Sequence, residues 1–270
     1  GLKPGGSNLT FSEGDEALVR AAFEDETIDA YEIGLKTEFM DSRVRTNVAA
    51  FYYDYTNLQF QASDFNEFGS GVSNIPESEI YGIELEMTAL IGDRFSLDMK
   101  LASMQSEVSA DYLALDNRLL IEDVFLADGV TPAKEEIHGA NRDVARFLQN
   151  LSGNELAKTP SLTADISLNF EDQLKDGAYI GASLQYTYRG EFEQRVFNNT
   201  EVDTVDSYDL INLTLSYDNS DEVWGVDLIG YNLLDEDGVN SAMTDVFGVN
   251  ETGFQYVAPR QLMARFKYNF

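Results

Sequence analysis

Hydrophobic and polar residues alternate one by one along most of this chain. In the last ten residues, for example, Leu, Ala, Phe, Tyr and Phe alternate with Gln, Met, Arg, Lys and Asn. Successive side chains of a β-strand point to opposite faces, so this pattern predicts strands with one apolar and one polar face. We predict nine strands, at about 31–39, 43–60, 81–89, 95–108, 162–170, 178–189, 211–217, 224–236 and 261–270.

The predicted strands are long for a soluble protein. Strands of globular domains usually have about five or six residues, whereas a strand that crosses a membrane needs about nine to eleven. Most of the strands predicted here have roughly ten residues or more, which favours membrane-spanning strands. A soluble β-sandwich also alternates and is kept as an alternative.

The connections between these strands alternate in length. Short turns are predicted near residues 41, 93, 174 and 220, and long segments at about 61–79, 109–160, 190–206 and 237–254. Short turns at one end and long loops at the other are typical of an outer-membrane β-barrel. Apolar residues near a 3.6-residue spacing between 137 and 148 also predict a short helix inside the longest loop.

The alternation assigns side chains to the two faces of the sheet. We expect Ile166, Leu184, Leu213 and Leu228 to face lipid, and Asp165, Gln185 and Asn212 to face the lumen. Aromatic residues cluster at the strand ends, as the two interfacial girdles of a barrel require. They include Tyr52, Tyr53, Tyr55, Tyr186 and Tyr188 at one end and Phe39, Phe170, Tyr217 and Phe270 at the other.

Composition excludes several kinds of function. With 48 acidic and 18 basic residues the net charge is −30, so a nucleic-acid binder with a broad basic face is excluded. The absence of cysteine excludes disulfides, thiolate metal sites and cysteine nucleophiles. The chain contains no run of eighteen apolar residues, so the sequence predicts no membrane-spanning helix. A self-contained outer-membrane protease barrel is kept as a less favoured alternative, because it needs a histidine at a strand end and the single histidine, His138, lies in a predicted loop.

The predicted loops contain the candidate ligand contacts. Phe192, Phe197, Phe247 and Phe254 either stack on a large planar solute or pack the loops against each other. His138 is either an iron or haem ligand or a solvated side chain. Acidic residues of the 190–206 loop, including Glu193 and Asp203, either attract a cationic solute or form a solvated surface. We predict no catalytic, cofactor-binding or structural metal-binding residue.

Seven short segments, in order along the chain, resemble one family, the TonB-dependent outer-membrane receptors. They are GLKPGG at 1–6, ETIDAYEIGLK at 26–36, FYYDYTNLQ at 51–59, YGIELE at 81–86, TP at 159–160, NLLD at 232–235, and PR at 259–260 before a terminal aromatic strand. The resemblance covers nearly the whole chain. It is specific to the C-terminal part of the family's barrel.

The resemblance implies a 22-stranded antiparallel β-barrel plugged by an N-terminal domain. Residues 1–270 are then expected to form the C-terminal portion, about nine to ten strands, without the plug and the N-terminal strands. The implied function is active transport of a large, scarce solute across the outer membrane of a Gram-negative bacterium, not an enzymatic reaction. A ferric siderophore is the first candidate, and haem, cobalamin and saccharides are alternatives. The implied partners are TonB, through the missing N-terminal region, and outer-membrane lipid.

The terminal strand has its own expected role. Phe266, Tyr268 and Phe270 share its apolar face. In the resembled family such a strand is the address recognised by the barrel-assembly machinery, and a strand edge can be recognised through its backbone hydrogen bonds. The alternative is that Phe270 is one more interfacial anchor.

Overall fold

The computed structural model describes residues 1–9, 19–63, 70–116, 148–244 and 252–269. All regular elements in these ranges are strands, and none of the described residues forms a helix long and apolar enough to cross a membrane. The strands are β1 (Leu2–Lys3), β2 (Gly6–Ser7), β3 (Ala22–Phe23), β4 (Glu26–Phe39), β5 (Val44–Ser63), β6 (Ser70–Ile91), β7 (Phe95–Val108), β8 (Leu113–Leu115), β9 (Leu148–Asn150), β10 (Leu162–Gln173), β11 (Tyr179–Arg189), β12 (Phe192–Glu193), β13 (Thr204–Val205), β14 (Tyr208–Asp218), β15 (Trp224–Tyr231), β16 (Val239–Thr244), β17 (Thr252–Tyr256) and β18 (Gln261–Tyr268).

One antiparallel sheet of ten strands dominates the structure. Its order is β1-β4-β5-β6-β7-β10-β11-β14-β15-β18, so strands adjacent in the sheet follow one another along the chain. This confirms the predicted all-β antiparallel class, and each of the nine predicted strands corresponds to one long strand of the sheet. The remaining strands form four small two-stranded sheets in the connections.

Two predicted boundaries were wrong. The segment 61–79 is not mainly a loop, because β5 continues to Ser63 and β6 begins at Ser70. The strand predicted at 224–236 ends at Tyr231, because Asn232 has a positive φ of 46° and turns the chain. The helix predicted near 137–148 lies outside the described residues except for Leu148, which belongs to strand β9.

The strand register separates an apolar face from a polar face, as predicted. Leu184 lies opposite Leu168 and Leu213, and Leu228 lies opposite Leu215 and Ala264. Because the side chains of paired residues point to the same side of a sheet, these residues form one continuous apolar surface. Leu184 and Leu228 are 45% and 53% exposed.

Cross-strand pairing neutralises much of the polar face. Asp165 lies opposite Lys100 and Thr187, and the Thr187 hydroxyl donates a 2.8 Å hydrogen bond to the Asp165 carboxylate. On β15 the nearly buried Asp227 carboxylate lies 2.7 Å from Arg265 and 3.2 Å from Lys267. The charges on the polar face of the sheet are therefore partly paired with each other.

Aromatic side chains form two rows on the apolar face. At the end of the long loops, Tyr52 lies between Tyr31 and Tyr81, with ring centroids 6.4 and 6.5 Å apart. At the end of the short turns, neighbouring rings lie 5.0 to 6.4 Å apart, in the pairs Phe95–Phe170, Tyr217–Trp224 and Trp224–Phe266. Tyr53 and Tyr55 were expected in the first row, but both lie on the other face of β5, where Tyr53 stacks on Phe51 at 4.9 Å.

Three of the motif segments, YGIELE, NLLD and PR, have a structural explanation. Gly82 lies beneath the Phe51 ring, and a Cβ atom there would approach the Ser103 carbonyl oxygen to 2.3 Å. The Asn232 side chain is buried and donates to the carbonyl groups of Glu236 and Ala258. The Asp235 carboxylate accepts the Arg260 backbone N–H at 2.9 Å and pairs with its guanidinium at 3.2 Å. These contacts join the NLLD segment to the PR segment just before β18 begins.

Candidate functional site

The long connections lie at one end of the main sheet. Each strand is antiparallel to its neighbour, so the chain reverses at alternate ends. The turns at 40–43, 92–94, 174–178 and 219–223 share one end, and the connections at 64–69, 109–161, 190–207 and 232–260 share the other. The predicted assignment of the connections to the two ends is confirmed, but the connection at 64–69 has only six residues and is not long. We refer to the second end as the loop end.

A hydrophobic core holds the loop end together. It consists of Ile75, Val108, Ala114, Leu151, Leu156 and Val196, with Leu58, Phe60, Ile80, Tyr112 and Phe197 packed against it. These residues come from β5 and β6 near the loop end, from the last residue of β7, and from two long connections. The ends of β5 and β6 at the loop end therefore contribute side chains to this core.

Polar contacts join the same two connections. The Asn154 amide group donates to the carbonyl oxygens of Val196 and Phe197, at 2.8 and 3.2 Å. The Asn198 amide accepts the Glu155 backbone N–H at 2.6 Å and donates to the Glu155 carbonyl at 3.0 Å. The 109–161 and 190–207 connections therefore pack as one body in this region.

A charged triad lies beside this core. The Arg195 guanidinium contacts Asp203 through Nε at 2.5 Å and Nη2 at 3.1 Å, and Asp116 through Nη1 at 2.8 Å and Nη2 at 3.4 Å. The side chains of both aspartates are fully buried, and Arg195 is only 15% exposed. Asp203 is therefore not part of a solvated acidic surface, which corrects that alternative for this residue.

Glu193 is a third carboxylate of the loop end with an unusual environment. Its Oε1 accepts a 3.0 Å hydrogen bond from the Thr204 hydroxyl, whereas its buried Oε2 has no hydrogen-bond partner. Burial raises the pKa of this carboxyl, and the nearby charges of Asp203, Glu155 and Glu191 add to the effect. The Glu193 side chain thus favours its neutral form more than an ordinary glutamate does.

The aromatic residues proposed as solute contacts differ in exposure. Phe192 is 2% exposed, and the Arg189 guanidinium lies 4.2 Å from its ring centroid. Phe197 packs on the hydrophobic core and under the Arg195 guanidinium. Phe254 is 49% exposed and lies 6.5 Å from Tyr256, on a hairpin that also exposes Met243. Of the predicted set, Phe254 has the most accessible ring among the described residues.

Several predicted residues lie outside the described ranges. Phe247 and His138 are among them, so the protease hypothesis, which depends on His138, stays a prediction. Phe270 is also outside, whereas Phe266 and Tyr268 are exposed on the apolar face of β18. Within the described ranges, no group of three or more His, Cys, Asp or Glu residues has a geometry that could hold a metal ion.

Sequence reasoning missed Arg195 and Asp116. Neither belongs to a recognisable motif, and they lie 79 positions apart. The only local signal is a single arginine between several acidic residues at 191–206. That signal indicates an ion pair but does not identify the partner in another loop.

Comparison with known proteins assigns the fold. The model of the TonB-dependent receptor-like β-barrel family matches residues 1–233. No curated protein matches the chain. Among solved structures, the chain is similar to the ferric yersiniabactin uptake receptor FyuA from Yersinia pestis, with a TM-score of 0.68 and 19% identity over 100% of this chain and 34% of that one.

Two further structures share the fold. The ferric preacinetobactin receptor BauA from Acinetobacter baumannii has a TM-score of 0.62 and 14% identity, over 100% of this chain and 33% of that one. The copper transporter OprC has a TM-score of 0.59 and 14% identity, over 92% and 32%. This chain spans about a third of the length of each. The chain belongs to the TonB-dependent receptor-like β-barrel family, whose members are transport receptors of the Gram-negative outer membrane.

Proposed function

We propose that the protein that carries this chain is an outer-membrane receptor for the active uptake of a ferric siderophore. The observation that carries the proposal is the loop end, where long connections from neighbouring strands pack into one ordered cluster above a sheet with an apolar outer face. Two structures with the same fold are receptors for ferric chelates, by their own descriptions. Their identities below 20% support the fold, and the solute is our inference.

The apolar face supports residence in the membrane. The row of tyrosines at Tyr31, Tyr52 and Tyr81 has the position of an interfacial girdle. Two residues nearer the loop end, the same face changes to a row of carboxylates, one on each of four adjacent strands: Asp29, Asp54, Glu79 and Glu107. Charged groups are expensive in hydrocarbon, so we place the outer lipid boundary between the two rows.

Transport requires binding and passage but no covalent chemistry from this chain. We propose that the loop end captures the solute and that the polar face of the sheet lines its route. The exposed rings of Phe254 and Tyr256 are the described aromatic surfaces best placed to contact a large chelate. TonB, acting through a segment outside this chain, supplies the energy, and the terminal strand is the address for the barrel-assembly machinery.

Uptake of ⁵⁵Fe tests the proposal. A strain lacking the gene, supplied with a panel of ferric siderophores under iron limitation, should fail to take up at least one of them. The gene should restore uptake, and a Phe254→Ala, Tyr256→Ala variant should restore it with a higher KM. Unchanged uptake of every ferric siderophore, together with lost uptake of haem, cobalamin, a saccharide or copper, would replace the proposed solute by that one.

A further inference from the structure

Arg195 joins two hairpins that come from different connections. Asp116 directly follows strand β8, which pairs with β9 in the 109–161 connection. Arg195 and Asp203 lie in the 190–207 connection, where β12 pairs with β13. The Arg195 guanidinium thus forms a polar contact between the end of the β8–β9 hairpin and the β12–β13 hairpin.

All three nitrogens of the Arg195 guanidinium contact carboxylate oxygens. Each aspartate receives two nitrogens of the planar fork, and Nη2 lies near both carboxylates. The Asn199 backbone N–H also donates to Asp203 at 2.9 Å, which fixes the orientation of that carboxylate. Lysine has a single ammonium group and cannot form this double fork. The arrangement therefore specifies an arginine and a single relative position of the two hairpins.

Net stability alone does not explain the triad. Burying charges costs free energy, and apolar residues of similar volume often stabilise as well or better. Removing one partner, in contrast, leaves a buried charge uncompensated and is strongly destabilising. Here removal of Arg195 would leave two buried carboxylates, one in each hairpin.

We propose that Arg195 is a latch that makes the β8–β9 and β12–β13 hairpins open and close as one cooperative unit. The Arg195 guanidinium lies 5.2 Å from the ring centroid of Phe197, which packs on the core of the loop end, so the latch is also tied to that core. The two hairpins keep their relative position before any solute binds. This inference does not depend on which solute the receptor takes up.

The amide contacts offer a competing explanation. Asn154 and Asn198 already join the two connections near residues 154–156 and 196–198. If these contacts alone held the loop end together, loss of Arg195 would disturb only its own connection. The two explanations therefore predict different patterns of local opening.

Hydrogen exchange of the full-length protein in lipid or detergent distinguishes them. In Arg195→Met we expect exchange to rise at least about tenfold in both hairpins, at 113–116 with 148–150 and at 192–193 with 203–205, while the main-sheet strands stay protected. Arg195→Lys should show a smaller rise in the same two regions. In Arg195→Met with Asp116→Asn and Asp203→Asn, removal of the two buried carboxylate charges should restore part of the protection in both hairpins.

Arg189→Met is the matched control. Arg189 stacks on Phe192 and donates to Asn240, so its loss should affect β12 and β16 but leave β8–β9 protected. A rise confined to 192–205 in Arg195→Met would overturn the proposal. The proposal would also be overturned if Asn154→Ala raised exchange in both hairpins while Arg195→Met left β8–β9 protected. If Arg195→Met does not assemble, the regions in which Arg195→Lys raises exchange are compared by the same criteria.

Discussion

Substituting Leu213 by arginine tests which face of the sheet contacts lipid. Leu213 lies on the apolar face of β14, opposite Leu184 and Gly230. The next residue, Thr214, points to the polar face, opposite Ser183. The two positions lie at almost the same depth. Leu213→Arg and Thr214→Arg therefore differ mainly in the face of the sheet that receives the charge.

The expected cost follows from the depth of Leu213. Tyr217, in the aromatic row at the turn end, lies four positions further along the strand. With a rise of about 3.4 Å per residue and a strand tilt of about 40°, Leu213 lies roughly 10 Å from that row. The apolar band is about 25 Å tall, so this is close to its middle, where an outward arginine costs about 2–4 kcal/mol. An arginine facing the lumen should cost little.

The assay is a urea titration of the full-length protein refolded into lipid vesicles. Leu213→Arg should lower the free energy of unfolding by about 2–4 kcal/mol, and Thr214→Arg by less than about 1 kcal/mol. Asn212 is a poorer control, because its side chain accepts the Asn232 backbone N–H at 2.9 Å. Equal losses at positions 213 and 214 would refute the assignment of faces.

Three further predictions concern single groups. Burial raises the pKa of Glu193, so its stabilising contribution is present below the unfolded-state pKa and is lost as pH rises through the folded-state pKa. Glu193→Gln should therefore raise the melting temperature by about 1–2 °C at pH 7 and by less at pH 4, and a lower value at pH 7 would contradict this. In a urea titration, Asn232→Ala should lower the free energy of unfolding by about 2–3 kcal/mol, because Asn232 is buried. Arg260→Ala should lower it by about 1 kcal/mol or less, because the Arg260 ion pair is half exposed. A larger loss in Arg260→Ala than in Asn232→Ala would show that the ion pair contributes more to stability than the Asn232 hydrogen bonds. Deletion of Phe270 should sharply reduce insertion in cells but leave refolding in detergent nearly intact, and normal insertion would argue for an anchor rather than an address.

The main sheet was predictable because alternation reflects two different environments. A strand between an apolar and a polar surface must change character at every residue, and a shift by one residue would exchange the faces. The same reasoning failed at 61–79. There Asn57, with a φ of 58°, faces Pro76 at one interruption, and the pairing resumes at Leu58 and Ile75. In the sequence Pro76 looks like the end of a strand, since proline cannot donate to the ladder, whereas Asn57 lies inside the strand predicted at 43–60.

The loop end was less predictable because its contacts are distant in sequence. The acidic residues at 190–206 were recognised as a cluster, but nothing local shows that Asp203 is buried and Glu201 is exposed. The difference arises from Arg195 and from Asp116 in another connection. The aromatic residues have the same limitation, since Phe192 and Phe254 look alike in the sequence and differ from 2% to 49% in exposure.

The family segments at 81–86, 232–235 and 259–260 preserve backbone geometry. Gly82 leaves room beneath the Phe51 ring. Asn232 and Asp235 hold residues 258–260 at the point where the terminal strand begins. Any receptor with this sheet must solve the same packing problems, whatever it transports, so these residues identify the fold. The 109–161, 190–207 and 232–260 connections, where we propose that the solute first binds, carry few of these segments outside their ends. The sequence therefore identifies the family much more strongly than the solute.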